Sequence, residues 1–414
     1  MQTKRNVWLW VLYDFANSII MIVFFLYFAQ WLVIDRGVSD FTFNLTFTIS
    51  TILLLAAAPL AGLFLDKYWR RISGLRYSTV LTVIFYGFCA VSAIYGKVAA
   101  SLVFFTLAQF AYQFSFTFYT PLLNDIASAK KRGFVSGLGI GANFLGQFAG
   151  LALALPFANS NLNFFHAPAR AETLLPAVIT FFILSLPMLL FFQEPFKQPQ
   201  KISLAHELKN LGLETKALLS YGSVAVFLGA YFLFNDAIVT ASNNFPIFME
   251  QVWKVSDTIK TYILLGIIIA SAIGGIVSGY LADRFGHKRT LIFVLCGWVF
   301  ILPFLGLVRN FSLFIVTAVL MGFWFGANWA VSRSVMAYLA PPNKHNLVFS
   351  YFTLAERASS FLGPITWGLI VSNLISLGSL RYRIAAVAVT GFIIIGLFLL
   401  YRVQDDRKLE VENH

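Results

Sequence analysis

The stretch GLFLDKYWRR at residues 62–71 returns, little changed, as GYLADRFGHKR at residues 279–289. Each copy follows a helix-length apolar segment, and the two stand about 217 residues apart in a chain of 414. A short loop repeated at that spacing predicts a duplicated bundle of helices, each half built on the same plan. Composition names the solvent. The chain is 59% hydrophobic, carries 12% charged residues, and has a mean hydropathy of +0.77. A water-soluble domain of that composition would expose most of its apolar surface, so the chain is predicted to fold in lipid.

Apolar runs of about 20 residues predict spans near 7–34, 42–65, 77–95, 99–123, 134–157 and 174–192. Six more follow near 221–249, 259–282, 290–308, 311–340, 347–375 and 384–402. The fold predicted is therefore an all-α membrane protein of twelve transmembrane helices in two pseudo-symmetric six-helix bundles, residues 1–192 and 221–414. Residues 193–220 form the long polar connection between them, with a possible interfacial helix from Ser203 to a stop at Gly212. The apolar N-terminal stretch imitates a signal peptide. Its length, Asp14 and the lack of a small-residue cleavage site mark it as an uncleaved first span.

Sorting Lys and Arg by alternate sides leaves 20 on the side holding both termini and 8 on the other, which predicts cytoplasmic termini. The net charge of +12 is spread singly or in threes between apolar runs, so it predicts loop orientation and no nucleic-acid partner. Cys89 and Cys296 each sit inside an apolar run as small hydrophobes. No ligand-spaced partner stands near either, and no metal site or cofactor is expected.

Ionised residues inside a span cost about 2.5–3.5 kcal/mol each on insertion scales, so each calls for a partner, water or a proton. Asp14, Asp236, Arg333, Glu356 and Arg357 are the ones that stand out. Asp14 and Asp236, 222 residues apart, open polar stripes at helical spacing, with Asn17 and Ser18 in the first and Thr240 and Asn243 in the second. Gln113 in span 4 and Asn328 in span 10 extend these surfaces, and Asn143 with Gln147 share one face of span 5. Such stripes can line a wet cavity for substrate and protons, or they can hold helices together by interhelical hydrogen bonds. Arg333 and the adjacent Glu356 and Arg357 fall at matching depths near the inner ends of spans 10 and 11, which predicts an ion pair acting as a gate or as a static tie.

The pattern G-x-x-x-D-R-x-G-x-K-R resembles the loop signature of the major facilitator superfamily. The second copy supplies Gly279, Asp283, Arg284, Gly286, Lys288 and Arg289; the first supplies Gly62, Asp66, Lys67, Arg70 and Arg71, with Trp69 at the place of the inner glycine. LYDFANS at 12–18, RGFVSGLG at 132–139, AYFLFNDA at 230–237, SRS at 332–334 and SSFLGP at 359–364 resemble the branch related to fungal vacuolar amino-acid effluxers. The resemblance implies a secondary carrier working by alternating access, with spans 1, 4, 7 and 10 around a central cavity and the repeated loops acting as gates. It also makes an amino acid or related metabolite the leading substrate; protons are expected as the coupling ion because carboxylates in a low-dielectric cavity can take them up on one face and release them on the other. The expected partners are membrane lipid, a small-molecule substrate and protons, in a monomer of a bacterial inner membrane. Efflux of an amphipathic compound, served by an aromatic pocket, stays open as a rival. An intramembrane enzyme would need a nucleophile and base or metal ligands inside a span, and all five histidines fall in loops or at the terminus, so no catalytic residue is assigned.

Overall fold

A chain this apolar can satisfy its backbone in lipid by closing every N–H and C=O within the same segment, and helices do that. The computed structural model describes residues 2–65, 70–127, 132–194, 213, 222–340 and 345–403. Within them the long elements are α1 (Lys4–Asp35), α2 (Asp40–Leu65), α3 (Arg71–Ile94), α4 (Val98–Tyr119), α5 (Arg132–Ala158) and α6 (Leu174–Phe191). They continue as α7 (Gly222–Trp253), α8 (Asp257–Phe285), α9 (His287–Leu307), α10 (Phe311–Leu339), α11a (His345–Ala358), α11b (Leu362–Asn373) and α12 (Leu380–Arg402). Among the described residues eleven helices are long and apolar enough to cross a membrane. The remaining expected span, 347–375, is interrupted: α11a and α11b are each too short to cross alone, and Ser359–Phe361 separate them. The expected interfacial helix near 203–212 lies outside the described residues.

Two compact units divide the chain, one of Met1–Leu204 with Ser256–Thr261 and one of Ala205–Val255 with Tyr262–His414. In the first unit α1 packs on α5 and α6, α3 on α4 and α6, and α2 on α4. In the second, α7 packs on α12 and α11a, and α9 on α10 and α12. Side chains repeat the plan. Ser50 donates its hydroxyl to the Thr106 carbonyl at 2.9 Å, tying α2 to α4, and Ser271 donates to the Gly322 carbonyl at 2.9 Å, tying α8 to α10. Arg76 on α3 donates Nε to the Leu189 carbonyl at 2.6 Å near the end of α6. Lys288 at the start of α9 donates to the carbonyls of Tyr401 and Val403 at 3.1 and 2.6 Å, where α12 ends. In both places a cation takes up carbonyls that a helix C-terminus leaves unpaired.

The exposed faces are apolar and the interior carries polar groups, the distribution lipid demands. Leu145, Ile276 and Phe300 are exposed, while Asn44, Thr51, Asn235 and Asn328 are buried. Helices α8 and α10 approach through small residues: a Cβ on Gly326 would overlap the Ser271 carbonyl, and one on Gly274 would overlap the Phe323 carbonyl. Gly286, at φ +97°, makes the turn between α8 and α9 that a side chain would strain.

The interruption of span 11 is fully accounted for. A helix start leaves its first N–H groups without intrahelical partners. Asp236 of α7 accepts three of them, from Phe361 at 3.2 Å, Leu362 at 2.9 Å and Gly363 at 2.7 Å. The next residue, Pro364, has no N–H to satisfy. Close approach makes the bond set possible, since a Cβ on Gly363 would run into the Thr240 hydroxyl and the Asp236 carbonyl. The break falls just before Pro364, because a proline in the first turn is tolerated where a mid-helix proline is not.

Asp236→Ala is expected to leave buried donors unmatched at roughly 1–3 kcal/mol each and to lower the unfolding temperature in detergent. Asp236→Asn, which keeps one oxygen acceptor, should fall between it and the parent; equal temperatures for all three would contradict the capping role. Gly326→Val should cost on the order of 1–3 kcal/mol through overpacking and reduce the monodisperse fraction in size-exclusion chromatography.

Candidate functional site

The first polar stripe lies on α1. Asp14 is half-buried, and its carboxylate faces Gly139 of α5, where an added Cβ would stand 3.1 Å from Oδ2. Ser18 donates to the Asp14 carbonyl at 2.9 Å, a bond within the helix. Asn17 is 1% exposed, and neither amide atom has a hydrogen-bond partner in the structure. Its backbone carbonyl accepts from Tyr112 of α4 at 3.4 Å. Around these groups Trp10 stacks on Tyr119 at 4.8 Å between ring centres, and each donates to the other's backbone carbonyl, at 3.3 Å from the indole and 2.9 Å from the phenol. This fixes α1 against α4. Gln113 is half-buried on α4, and on α5 Gln147 donates to Asn143 at 2.7 Å, as the four-residue spacing predicts.

The second stripe lies in the other unit. Asp236, Thr240 and Asn328 are 0% exposed, and Asn243 is half-buried. The Asp236 carboxylate is committed to the α11b N-terminus, a role the sequence reading did not foresee. The clue was present in SSFLGP, where a glycine and a proline follow two serines inside an apolar run. Ser332 donates to Asn328 Oδ1 at 3.4 Å, whereas Asn328 Nδ2 has no partner. Asn235, next to the capping carboxylate and 1% exposed, has neither amide atom paired. Buried amides left this way cost about 1–3 kcal/mol each, so both units carry unspent hydrogen-bonding capacity beside an acidic residue.

Of the residues expected to gate, Arg333 and Glu356 form an ion pair, at 3.5 Å, between α10 and α11a. Arg357 follows on the same helix. Ser334, beside Arg333, bonds His287 Nδ1 at 2.7 Å, and His287 packs on Tyr338 with ring centres 5.5 Å apart. Sequence reading set His287 aside as a loop residue; it is the group through which the second repeated loop touches α10. In that loop Gly279, Asp283 and Arg284 complete the end of α8. Asp283 is exposed, and among the described residues no amide donates to it. Lys288 serves the end of α12, and Arg289 is exposed. In the first loop Gly62 closes α2, Arg70 precedes α3, and Arg71 pairs with Asp125 at 3.1 Å. Asp66 and Lys67 lie outside the described residues. Among the described residues no group of three or more His, Cys, Asp or Glu is placed to hold a metal ion.

Residues 123–412 match the family described as vacuole effluxer Atg22 like. An uncharacterised protein of Aquifex aeolicus is 24% identical over 91% of each chain. An uncharacterised MFS-type transporter, YxiO of Bacillus subtilis, is 24% identical over 86% of each. Autophagy-related protein 22 of Saccharomyces cerevisiae is 29% identical over 36% of this chain, which spans 30% of that protein. Among solved structures, the nucleoside transporter NupG superposes with a TM-score of 0.71 at 13% identity, over 96% of this chain and 98% of the other. A bacterial homologue of the human lysosomal transporter Spinster, inward-facing and unoccupied, gives 0.71 at 14% identity, over 97% and 96%. Both likenesses are of fold. Motifs, helix plan and family match converge: the chain belongs to the Atg22-like vacuole effluxer family of the major facilitator superfamily and is a multi-pass membrane transporter, not an enzyme.

Proposed function

We propose that this secondary transporter moves a small polar solute, an amino acid or related metabolite, by alternating access coupled to protons. The observation that carries the reading is the buried, unpaired amide capacity in each unit: Asn17 on the helix that carries Asp14 in one, and Asn235 on the helix that carries Asp236, with Asn328 on α10, in the other. A zwitterion or amide-bearing metabolite supplies donors and acceptors for such groups, whereas an amphipathic drug would leave them unmatched. Kinship with vacuole effluxers supports the same solute class. Asp14, half-buried and outside the helix-capping role that Asp236 fills, is the carboxylate assigned to carry the coupling proton. Asn17, Ser18, Gln113, Asn143, Gln147, Thr240, Asn243 and Asn328 are assigned to the solute and proton path. The Arg333–Glu356 pair, with Arg357 beside it, is assigned to the inner gate, biased by the repeated loops. The protein is proposed to work as a monomer in a bacterial inner membrane with both termini cytoplasmic, needing no cofactor and binding no nucleic acid.

Thermal-shift screening of the purified protein against metabolite panels at two pH values should single out an amino-acid-like ligand, because selective binding stabilises the bound state. In liposomes, that solute should accumulate under an imposed pH gradient. Asp14→Asn should cut uphill accumulation at least tenfold while sparing solute exchange; undiminished accumulation would remove the proton assignment. Glu356→Gln should raise the rate at which a cysteine placed at buried Ser360, in the interruption of span 11, reacts with a soluble maleimide, and an unchanged rate would make the ion pair a static tie.

A further inference from the structure

Asp236 has capacity left after it has closed the α11b helix. A carboxylate offers about four acceptor sites, and three are filled: Phe361 donates to Oδ1 at 3.2 Å, while Leu362 and Gly363 donate to Oδ2 at 2.9 and 2.7 Å. Oδ1 therefore keeps a free lone pair. The charge is not balanced either. Asp236 is 0% exposed, and among the described residues no Lys or Arg pairs with it. A helix N-terminus supplies roughly half a unit of positive charge, so about half of the anion stays uncompensated. In the interior of a membrane protein such a charge calls for a partner.

Thr240 Oγ1 lies beside the same carboxylate, one turn further along α7. It is 0% exposed, has no hydrogen-bond partner, and faces the first turn of α11b, where a Cβ on Gly363 would collide with it. Ser242 and Ser271 return their hydroxyls to the carbonyl four residues back, at 2.9 and 2.8 Å; Thr240 makes no such bond. Opposite α11b, α11a ends at Ala358, and the carbonyls of a helix's last turn point along its axis, here toward the interruption. Ser359, 1% exposed, fixes that end by donating to the Ala355 carbonyl at 2.7 Å and to the Phe232 carbonyl of α7 at 3.4 Å.

We propose that the interruption of span 11 is a binding site for a monovalent cation of sodium's size, held by Asp236 Oδ1 and Thr240 Oγ1, with main-chain carbonyls at the interruption completing its shell. The ion supplies the positive charge that the helix N-terminus leaves wanting, and it employs an acceptor and a hydroxyl that the protein leaves unused. A divalent ion fits less well, because it takes about 6–8 oxygens with several carboxylates among them, whereas Asp236 already shares its charge with three amides. The first unit differs at the matching place. Asp14 also faces a glycine on the fifth helix of its unit, Gly139, but α5 runs unbroken there from Arg132 to Ala158, and Asp14 is half-buried. Freed backbone and an uncompensated buried charge coincide in the second unit. The site names an ion other than the proton assigned to Asp14, and it stands on the second unit alone.

The test is equilibrium binding of radioactive sodium to the full-length protein in detergent, with choline chloride keeping the ionic strength constant. Binding should saturate near one ion per chain and be displaced by unlabelled sodium chloride but not by choline chloride. Thr240→Val keeps the shape of the side chain and removes its oxygen, so it should weaken binding at least tenfold with an unaltered elution profile on size-exclusion chromatography. Asp236→Asn should abolish binding, and Ser242→Ala, on the same helix, should bind as the parent does. If Asp236→Asn is not recovered as a monodisperse protein, Thr240→Val decides alone. Absence of saturable sodium binding overturns the site, as does parental affinity in Thr240→Val or displacement by choline as effective as by sodium. No solute enters the assay, so its failure leaves the carrier assignment standing, and a failed solute screen leaves the site standing.

Discussion

Three backbone N–H groups ending on one carboxylate decide how the second unit is built. Lipid offers no hydrogen bonds, so a crossing segment can break its helix only where protein supplies the missing partners. Asp236 supplies them to Phe361, Leu362 and Gly363, and Pro364 asks for none. That arrangement permits an interrupted span 11, and the interruption sets where α11a ends. Glu356, two residues before that end, then meets Arg333 of α10. A carboxylate first read as part of a solute path is thus also an architectural element, and the proposed proton coupling is assigned to Asp14.

Duplication shows in chemistry as well as in sequence. Serine hydroxyls bridge α2 to α4 and α8 to α10 at the same length, and a cation on the third helix of each unit takes up carbonyls at the end of the sixth. The halves differ where function is proposed. Gly286 allows the turn between α8 and α9, whereas the sequence of the first loop has Trp69 at the matching place. The second loop reaches α10 through His287, a residue outside the repeated signature.

Spans, duplication, family and the Arg333–Glu356 pair were legible in the sequence because each depends on hydropathy, spacing or depth along a helix. The interruption of span 11 was not, since Ser359–Phe361 read as part of an apolar run and the compensating Asp236 lies more than a hundred residues earlier. Lys288 read as a gating cation because its loop matches a signature, yet its bonds go to the end of α12, a contact that no local pattern encodes.

The C-terminal part of α1 contains two π-helical turns, Phe24–Phe28 and Trp31–Asp35. Each wider turn takes in an extra residue and rotates everything beyond it relative to an ideal α-helix. The azimuth of Gln30 and Asp35 is thereby uncoupled from that of Asp14 and Asn17 on the same rod. One helix can present Asn17 and Asp14 in one direction and Asp35 in another, so a single-residue deletion between Val23 and Gln30 would turn one set away from its partners while leaving hydropathy untouched.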